Sequence, residues 1–469
     1  MPLSLYDTAS RAVREFVPIA PGKVGIYLCG ATVQAPPHVG HIRSGVSFDV
    51  LRRWLMARGY DVTFIRNVTD IDDKIIHDAG HEDIPYWSLA MRNERAFSRA
   101  YEVLGCLPPT YEPRATGHIP EMIELMERLI ERNHGYAVRG DVYFDVRSFE
   151  GYGSLSGQRI DDMLASPDSA AKEKRDPRDF AMWKSAKPGE PFWQTPWGPG
   201  RPGWHVECSA MAGKYLGEQF DIHGGGLDLI FPHHENEIAQ SKAAGWAFAN
   251  FWMHNAWVTT SGEKMSKSLG NSLLVDEVVK RIAPVELRYY LVSAHYRSML
   301  EYSDAAVAEA GQGYRRIEGF LQRSLEMLGG GSELLAVDPA LRPQEFDDAM
   351  DNDLAVPQAL AVLHEVVRRG NAALAEQRMA EMSAAFGATL AMLDVFGLNP
   401  WDPRWASEGS TGTQATEVID ALVRVLMTQR QEARSRKDFA AADAIRDGLD
   451  QIGIRIEDTA QGARWTLEK

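Results

Sequence analysis

The sequence lacks several features that would direct its interpretation elsewhere. It has only three cysteines in 469 residues, Cys29, Cys106 and Cys208. An odd number at such wide spacing excludes a disulfide framework and indicates reduced thiols. There is no uninterrupted apolar run of about 18 residues, and the first residues have no basic start followed by an apolar stretch. We therefore expect a cytoplasmic protein with no membrane partner and no secretory signal.

Basic residues are also in the minority, since Lys and Arg number 50 against 65 Asp and Glu, for a net charge of −15. This balance excludes generalised nucleic-acid binding, which usually leaves a basic footprint. It does not exclude an RNA partner, because a local basic face can steer an RNA despite an acidic total. The length predicts about two to four domains.

The start of the chain has the pattern of an α/β protein. Residues 25–29 form a short apolar run typical of a buried strand. A proline pair then precedes an amphipathic pattern over residues 42–58, which predicts a helix start. Residues 60–68 alternate and are rich in β-branched side chains, which predicts the next strand. Strand, helix and strand in about fifty residues form a βαβ unit and open an α/β sheet.

The residue composition and periodicity change twice farther along the chain. After helical patterns at residues 85–104 and 119–133, Trp, Pro and Gly alternate over residues 175–204. Because prolines block regular strand pairing, we predict an irregular segment pinned by aromatic packing there. Beyond Pro284 the pattern is almost entirely helical.

Two breaks interrupt the helical half of the chain. One is Gly-rich and starts at Gly329, and the other is polar, covers residues 405–414 and predicts a linker. After the linker we predict helices with basic residues over 418–449 and a short strand at 453–456.

The tetrapeptide His38-Val-Gly-His41 lies where the first strand gives way to the first helix. Helix N-termini carry free amides and a partial positive charge, which favours phosphate there. Glycine between the histidines lets a ligand lie close to the backbone. Two imidazoles in this position are able to donate to phosphoryl oxygens as charge builds in a transition state.

A second motif, Lys264-Met-Ser-Lys-Ser268, is flanked by glycines, which indicates a mobile loop. Two lysines three positions apart suit a triphosphate and the departing pyrophosphate. By itself a short basic loop is usually solvated surface. The motif becomes specific because it follows the histidine motif by about two hundred residues.

This pair of motifs resembles the HIGH and KMSKS signatures of class I aminoacyl-tRNA synthetases. Nearly end to end, the chain is similar to the cysteine-specific family of that class, the cysteinyl-tRNA synthetases. The similar stretches start at Tyr27, Arg66, Gly203, Asp221, Phe231, Ala442, Gly453 and Gly462. Val39 stands where the family motif has isoleucine, and the exchange keeps a branched apolar residue.

The resemblance implies one zinc ion per chain, held by Cys29, Cys208, His233 and Glu237. Sulfur and nitrogen ligands suit Zn²⁺, and the single carboxylate is a weaker partner. His234 is an alternative zinc ligand because it is adjacent to His233, and the sequence alone does not decide between them. A purely structural zinc is an alternative, because the ligands come from distant parts of the chain.

Other contacts are implied in the same way. Catalysis would depend on His38, His41, Lys264 and Lys267. ATP, with Mg²⁺, would contact His38, Gly40, His41, His223, Gly224, Gly225, Asp228 and Lys267. Cysteine would contact Gly30, Thr69 and Trp204. The transfer RNA would contact Arg430, Arg434, Arg436, Lys437 and Trp465.

The fold class implied is α/β, with a Rossmann-like catalytic domain, an inserted subdomain, a helical bundle and a small C-terminal tRNA-binding domain. The expected boundaries are 1–120 for the first half of the catalytic domain, 121–203 for the insert, 204–260 for the second half with the zinc site, 261–310 for the KMSKS loop and stem-contact region, 311–405 for the bundle and 415–469 for the anticodon-binding domain.

The implied activity is that of a cysteine–tRNA ligase acting on L-cysteine, ATP and tRNA(Cys), which we expect to be a monomer. The zinc would select the substrate thiolate, so that an editing domain is unnecessary. The alternative is an enzyme of the same ancestry that ligates cysteine to an amino-sugar in mycothiol synthesis. That enzyme needs no tRNA-binding tail, and residues 415–469 weigh against it.

Overall fold

The structure is a computed structural model that describes residues 2–163, 173–260, 262–264, 273–405, 410–451, 454–459 and 462–467. The chain divides into two compact units, Met1–Pro400 and Trp401–Lys469. Each unit is described by itself.

Strands are distributed over both units. In chain order they are β1 (Ser4–Asp7), β2 (Ala12–Glu15), β3 (Lys23–Leu28), β4 (Asp61–Arg66), β5 (Gly135–Val138), β6 (Asp141–Phe144), β7 (Phe180–Ser185), β8 (Gly200–Pro202), β9 (Gln219–Gly226), β10 (Phe248–Asn255), β11 (Val258–Thr260), β12 (Glu263–Lys264), β13 (Leu300–Glu301), β14 (Ile454–Thr459) and β15 (Gly462–Leu467).

Helices dominate the second half of the chain. In chain order they are α1 (Val39–Ala57), α2 (Asp73–His81), α3 (Tyr86–Val103), α4 (Ile119–Glu131), α5 (Trp204–Leu216), α6 (Glu235–Ala243), α7 (Val275–Val278), α8 (Pro284–Ser293), α9 (Asp304–Met327), α10 (Gln344–Asp351), α11 (Val356–Ala375), α12 (Met379–Phe396), α13 (Ser410–Ser435) and α14 (Phe439–Gln451).

The central sheet of the first unit has four parallel strands in the order β10-β9-β3-β4. Strand β3 pairs with β4 along its whole length and with β9 from Ile26 to Leu28. Those residues of β3 are buried, and helices α1 and α5 both pack against this sheet. A strand covered on both faces has a continuous apolar run rather than an alternating one. The predicted unit of strand, helix and strand is confirmed as β3-α1-β4.

Helix α1 starts three residues earlier than the predicted residue 42. His38 is its N-cap, and its ring accepts a hydrogen bond from the amide of His41, while the His41 ring accepts one from the amide of His38. This reciprocal pairing satisfies two amides that have no partner inside the helix. The predicted helices at 85–104 and 119–133 are confirmed as α3 and α4 with ends that differ by at most two residues.

A separate antiparallel sheet, ordered β5-β6-β7-β8, lies between the two halves of the parallel sheet in the sequence. The prediction of an irregular segment over residues 175–204 is wrong in part, because β7 and β8 lie within it. The proline rule failed because Pro202 ends an edge strand, where a missing amide breaks no ladder bond. Trp183 is fully buried on β7, so the predicted aromatic packing does exist.

Helices make up most of the first unit after the parallel sheet. A small sheet has the strand order β12-β11-β13, and helices α7 and α8 lie between β12 and β13 in the sequence. Helices α9 to α12 follow β13. Of the helices in the described ranges, only α12 is long and apolar enough to cross a membrane, and 61% of that stretch is buried. Since α12 packs against α11, α9 and α1, it has the character of a core helix.

The second unit contains α13, α14 and the antiparallel hairpin β14-β15. The predicted linker at 405–414 extends too far, since α13 already begins at Ser410. The predicted strand at 453–456 is the start of β14, but its partner β15 was not predicted. A short hairpin near a chain end has little periodicity by which sequence patterns could identify it.

Candidate active site and metal centre

The candidate site lies at the carboxyl ends of the parallel strands. Cys29 directly follows β3, and its amide donates to the carbonyl of Gly224 on β9 at 3.0 Å. The chain leaves β3 for β4 on one side, while β9 and β10 lie on the other. Such a switch point in strand order is where open α/β sheets usually bind ligands.

Four side chains converge at this switch point and form what we call the metal-ligand cluster: Cys29, Cys208, His233 and Glu237. One donor atom of each lies within 4.8 Å of the others, and all four residues are buried. The Cys29 and Cys208 sulfurs are 3.8 Å apart, and the Cys29 sulfur lies 3.4 Å from a Glu237 oxygen. Two thiols, one imidazole and one carboxylate at this spacing fit the donor set of a zinc-type metal centre.

Three elements besides β3 bring the ligands together. Cys208 lies on α5, and Glu237 lies in the first turn of α6. His233 lies in the kinked segment Ile230–His234 that runs directly into α6. Its Nε2 is 3.0 Å from an oxygen of Glu237 four residues later, so the pair shares one helical face.

The charges inside the cluster are coupled. Burial opposes ionisation of Cys208, but the hydrogen bond from Cys29 and the nearby His233 lower the pKa of its thiol to about 6. Burial also opposes ionisation of Glu237, whereas His223 and His233 lower the pKa of its carboxyl to about 2. The cluster therefore contains anionic donors, the form in which thiols and carboxylates bind metals.

Burial and the two thiols affect the remaining members differently. Burial raises the pKa of the Cys29 thiol, and its hydrogen bond to Cys208 raises it further. Burial disfavours the imidazolium of His233, but the charges of Glu237 and Cys208 raise the pKa of that ring to about 10.

A second layer of histidines surrounds the cluster, and Cys29, His223, His234 and Glu237 form a second compact group of donors. His223 Nε2 lies 2.8 Å from Glu237 Oε2. His234 Nε2 lies 3.3 Å from the Cys29 sulfur, and its Nδ1 lies 2.8 Å from His254 Nε2. The structure thus brings both His233 and His234 to the cluster, and the sequence-based alternative between them stays open.

The three residues expected at the cysteine pocket lie next to the cluster. The amide of Gly30 donates to Asn67 Oδ1 at 2.8 Å, and a side chain at position 30 would meet the Asn67 carbonyl at 1.6 Å. Thr69 is buried, and its hydroxyl donates to Glu207 at 2.9 Å. The Trp204 ring stacks on His233 with centroids 4.1 Å apart. Hydrogen bonds, close backbone packing and ring stacking therefore hold these three residues in place beside the cluster.

The two motif histidines form the amino end of α1. The rings of His38 and His41 are stacked with centroids 3.6 Å apart, and His41 is exposed. The amide of Val39 donates to Leu273 at 2.9 Å, and the amide of Val275 donates to Pro37 at 3.1 Å. The chain that follows the KMSKS-like loop is therefore attached to the same helix end as the histidines.

The glycine stretch on β9 packs tightly against α1. A side chain at Gly224 would lie 2.2 Å from the ring of Phe48, and one at Gly225 would lie 2.8 Å from His234. Asp228 accepts a hydrogen bond from the Trp257 indole at 3.0 Å. His223, expected to contact ATP, has a fully buried ring whose Nε2 lies 2.8 Å from Glu237, and its contact with ATP stays a prediction. Its side chain belongs to the surroundings of the cluster.

The remaining expected residues belong to the KMSKS-like motif and to the second unit. Lys264 is in β12, where the backbone is described, and Lys267 lies outside the described residues. Arg430 and Arg434 lie on α13, and Arg436 and Lys437 are exposed in the turn that follows it. Trp465 is on β15. The four basic residues thus fall within about two helical turns of the second unit.

The sequence did not indicate three residues near the cluster, of which Glu207 and His254 are buried and His205 is half-buried. Glu207 meets Thr69, His205 Nδ1 lies 3.0 Å from His233 Nδ1, and His254 joins His234 to Thr8. Glu207 and His205 precede Cys208 by one and three residues on α5. Their closeness in sequence to an expected metal ligand was therefore an available signal. His254 had none, because a lone histidine at the end of a strand has no distinctive pattern.

Comparison with known proteins identifies the family to which the chain belongs. The family model described as the class I (C) tRNA synthetase catalytic domain matches residues 15–312, and the DALR domain model matches residues 345–399. The cysteine–tRNA ligase of Streptomyces avermitilis is 62% identical over 468 residues, covering 100% of this chain and 99% of that protein. The chain belongs to the cysteine–tRNA ligase family of class I tRNA synthetases.

Other members of the cysteine–tRNA ligase family match to a similar extent. The cysteine–tRNA ligase of Streptomyces coelicolor is 61% identical, with 99% of this chain and 75% of that protein covered. The one from Nocardioides sp. is 56% identical, with both chains covered completely. The similarity therefore includes the C-terminal unit as well as the catalytic region.

A solved structure shares the fold at low sequence identity. The Mycobacterium tuberculosis methionyl-tRNA synthetase in complex with methionyl-adenylate aligns with a TM-score of 0.60 at 20% identity, covering 80% of this chain and 90% of that one. At this identity the likeness concerns the fold alone. It agrees with the Rossmann-like parallel sheet of this cysteine–tRNA ligase family member.

Proposed function

We propose that the chain charges tRNA(Cys) with L-cysteine, using ATP and forming cysteinyl-adenylate as the intermediate. One observation carries this proposal: a buried cluster with two thiols lies at the switch point of the sheet whose first helix presents the paired histidines. This arrangement supports a site that would combine a sulfur-selective metal with a phosphate-binding helix end. The identity of 62% to a named cysteine–tRNA ligase over the whole chain supports the same conclusion.

The metal of the site is zinc in this proposal, with Cys29, Cys208, His233 and Glu237 as ligands. His233 is preferred over His234 because its group contains both thiols, which suit a thiophilic metal. Bound zinc would lower the pKa of the substrate thiol and bind the thiolate, whereas the alcohol of serine stays protonated and coordinates poorly. An apolar pocket alone would reject such a near-isostere only weakly.

The chain's own residues would hold the remainder of the amino acid. Trp204 stacks on His233 and forms a wall of the pocket, and the packing at Gly30 leaves room only for a glycine. Thr69 is held by Glu207 and is a fixed polar contact beside the cluster. With these contacts the cysteine carboxylate would be oriented for attack on the α-phosphate of ATP.

ATP and Mg²⁺ would bind at the amino end of α1. His38 and His41, with Lys264 and Lys267 of the loop, would stabilise the charge that builds on the phosphoryl oxygens. Gly40, Gly224, Gly225 and Asp228 would contact the nucleotide. The attachment of Leu273 and Val275 to this helix end supports the arrangement, because it holds one end of the loop beside the histidines.

The second unit would bind the tRNA, through Arg430, Arg434, Arg436, Lys437 and the aromatic ring of Trp465. Arginine and lysine meet phosphates, and an aromatic ring stacks on unpaired bases. We also propose that the protein acts in the cytoplasm as a monomer.

Aminoacylation of bulk tRNA with labelled cysteine, and separately with serine, tests the proposal. We expect charging with cysteine and none above background with serine. Cysteine-dependent pyrophosphate exchange without any tRNA charging would favour the cysteine:amino-sugar ligase instead. Absence of both activities in metal-loaded protein would overturn the assignment.

The tRNA contacts are tested in the full chain by the double change Arg436→Ala and Lys437→Ala. Each lost phosphate contact lowers the slope of log affinity against log salt concentration by roughly one. Arg446→Ala is the matched control, because Arg446 lies on α14 and pairs with Asp443 and Asp447. Equal slopes for the wild type, the double variant and the control would exclude this surface from tRNA binding.

A further inference from the structure

The most heavily bonded buried cation of α1 has no part in the site described so far. Arg43 lies two residues after His41 and is 0% exposed. Its Nη1 donates to the carbonyls of Ala256 and Trp257 at 3.0 and 2.6 Å. Its Nη2 donates to the carbonyls of His295 and Ser298 at 3.2 and 2.5 Å.

These four carbonyls belong to two segments that lead into the same small sheet. Trp257 directly precedes β11, and Ser298 lies two residues before β13. Strand β11 pairs with β13 on one side and with β12 on the other, where Thr259 lies opposite Lys264. One guanidinium thus joins the start of α1 to the base of the sheet that carries the first lysine of the KMSKS-like motif.

Burying the charge of Arg43 costs free energy, which makes a simple packing role a poor explanation. All four acceptors are neutral backbone carbonyls, and burial lowers the pKa of the guanidinium to about 10. Neutral carbonyls offset the desolvation of a buried cation only in part, so these bonds do not by themselves indicate added stability. A planar fork of five donors is, however, suited to fixing two segments at a defined distance, and lysine has no such fork.

Arg53 of the same helix gives the contrast. It is also buried, but it pairs with Asp49 at 2.7 Å and donates to the Gly105 carbonyl at 3.0 Å. Asp49 lies in α1 and Gly105 lies in the turn after α3, so neither belongs to the small sheet. Two buried arginines of one helix therefore differ in what they join.

We propose that Arg43 is a positioning residue that sets the distance between the phosphate-binding end of α1 and the hairpin β11-β12, so that the two signature motifs act on one nucleotide. The proposal rests on the proposed function. Arg43 would contribute to that function without contacting the substrate, the nucleotide or the metal.

Arg43→Lys tests this role, with Arg53→Lys as the matched control. In cysteine-dependent pyrophosphate exchange, we expect Arg43→Lys to lower kcat by about 10²-fold, the scale of a 1 Å misplacement. Its KM for cysteine and its metal content should match those of the wild type. Arg53→Lys should lower the melting temperature while keeping kcat within about 3-fold of the wild type, since it does not reach the hairpin.

Amide hydrogen exchange gives a second readout that does not depend on activity. We expect faster exchange in β11 for Arg43→Lys, with unchanged exchange in β3 and β9. If Arg43→Lys does not accumulate as folded protein, Arg43→Gln replaces it. Unfolding of both variants would make Arg43 a folding residue and overturn the proposal.

The remaining outcomes separate this proposal from the function on which it rests. A wild-type protein without cysteine-dependent exchange would refute the proposed function itself. A wild-type protein that exchanges, together with an Arg43→Lys variant of equal kcat, would refute only the role of Arg43. Equal losses of kcat in Arg43→Lys and Arg53→Lys would also refute it, because the effect would then be general to buried arginines of α1.

Discussion

The metal-ligand cluster and the His38–His41 pair use imidazoles under opposite conditions. In the cluster His233 is 1% exposed, and the charges of Glu237 and Cys208 raise the pKa of its ring. At the amino end of α1, His41 is exposed and stacks on His38. A centre that distinguishes a thiol from an alcohol must exclude water, which would compete for the metal. A site for a triphosphate must admit a large hydrated anion.

The two sites also differ in how the chain builds them. The hydrogen bond between Cys29 and Glu237 joins residues 208 positions apart, whereas the bonds between the paired histidines span three. The cluster therefore depends on the whole parallel sheet, and the histidine pair depends on one helix end. Damage to the cluster should alter metal content and substrate choice together, whereas damage to the pair should alter rate alone.

The largest expected effect is that of Cys208→Ser. Losing a thiolate ligand should lower metal affinity by at least about 10²-fold, more than the loss of an outer partner usually costs. Cysteine activation should fall with it, because the same metal would hold the substrate sulfur. Metal per chain by mass spectrometry and pyrophosphate exchange measure the two effects.

Cys106→Ser is the control for that change, since Cys106 is buried outside the cluster and its sulfur lies near Arg288. It should retain both metal and activity. Full metal content with normal activation in Cys208→Ser would show that the cluster is not the substrate-selecting centre.

His41→Asn tests the exposed site. Removing one donor to a developing phosphoryl charge should lower the rate of adenylate formation by roughly 10²- to 10³-fold. Metal content and the dissociation constant for cysteine should not change, because the thiol anchor lies elsewhere. His77→Asn, on the exposed face of α2, is the control and should behave as the wild type. A loss of metal in His41→Asn would break the distinction between the two sites.

His223→Asn sharpens the comparison from inside the cluster. His223 contacts Glu237 Oε2, whereas His233 contacts Glu237 Oε1. His223 therefore orients the carboxylate of the expected metal ligand Glu237. Loss of such an outer partner typically costs about 10- to 100-fold in metal affinity. Competition with a chelator measures it. If instead metal affinity is retained and the KM for ATP rises, His223 belongs to the nucleotide site, as the sequence alone suggested.

The smallest effect is expected from Trp204→Phe. The smaller ring keeps an aromatic face toward His233 but loses part of the stacked area. Aromatic pairs contribute about 0.5 to 1.5 kcal/mol beyond burial, so the KM for cysteine should rise only a few-fold, with kcat unchanged. Steady-state exchange kinetics measure it, and a change in kcat alone would move Trp204 out of the cysteine pocket.

Local patterns predicted the elements that depend on local physics. Helices α1, α3 and α4 and strands β3 and β4 follow from apolar spacing and proline position, although α1 starts three residues earlier than predicted. The segment over residues 175–204 failed because pairing at a sheet edge is a tertiary fact, which tolerates Pro202 where a central strand would not. For the same reason β15 was missed, since it is defined by its partner β14.

The sequence by itself determined which residue types are available for chemistry: two cysteines and a histidine–glutamate pair at a spacing of four, and two histidines at a helix start. Only the tertiary structure decided that Cys29 lies beside Cys208, that His223 contacts Glu237, and that Arg43 reaches two distant segments. The physical reason is that spacing of three or four fixes neighbours on one helix, whereas contacts across a parallel sheet depend on strand order and burial, which no local pattern contains.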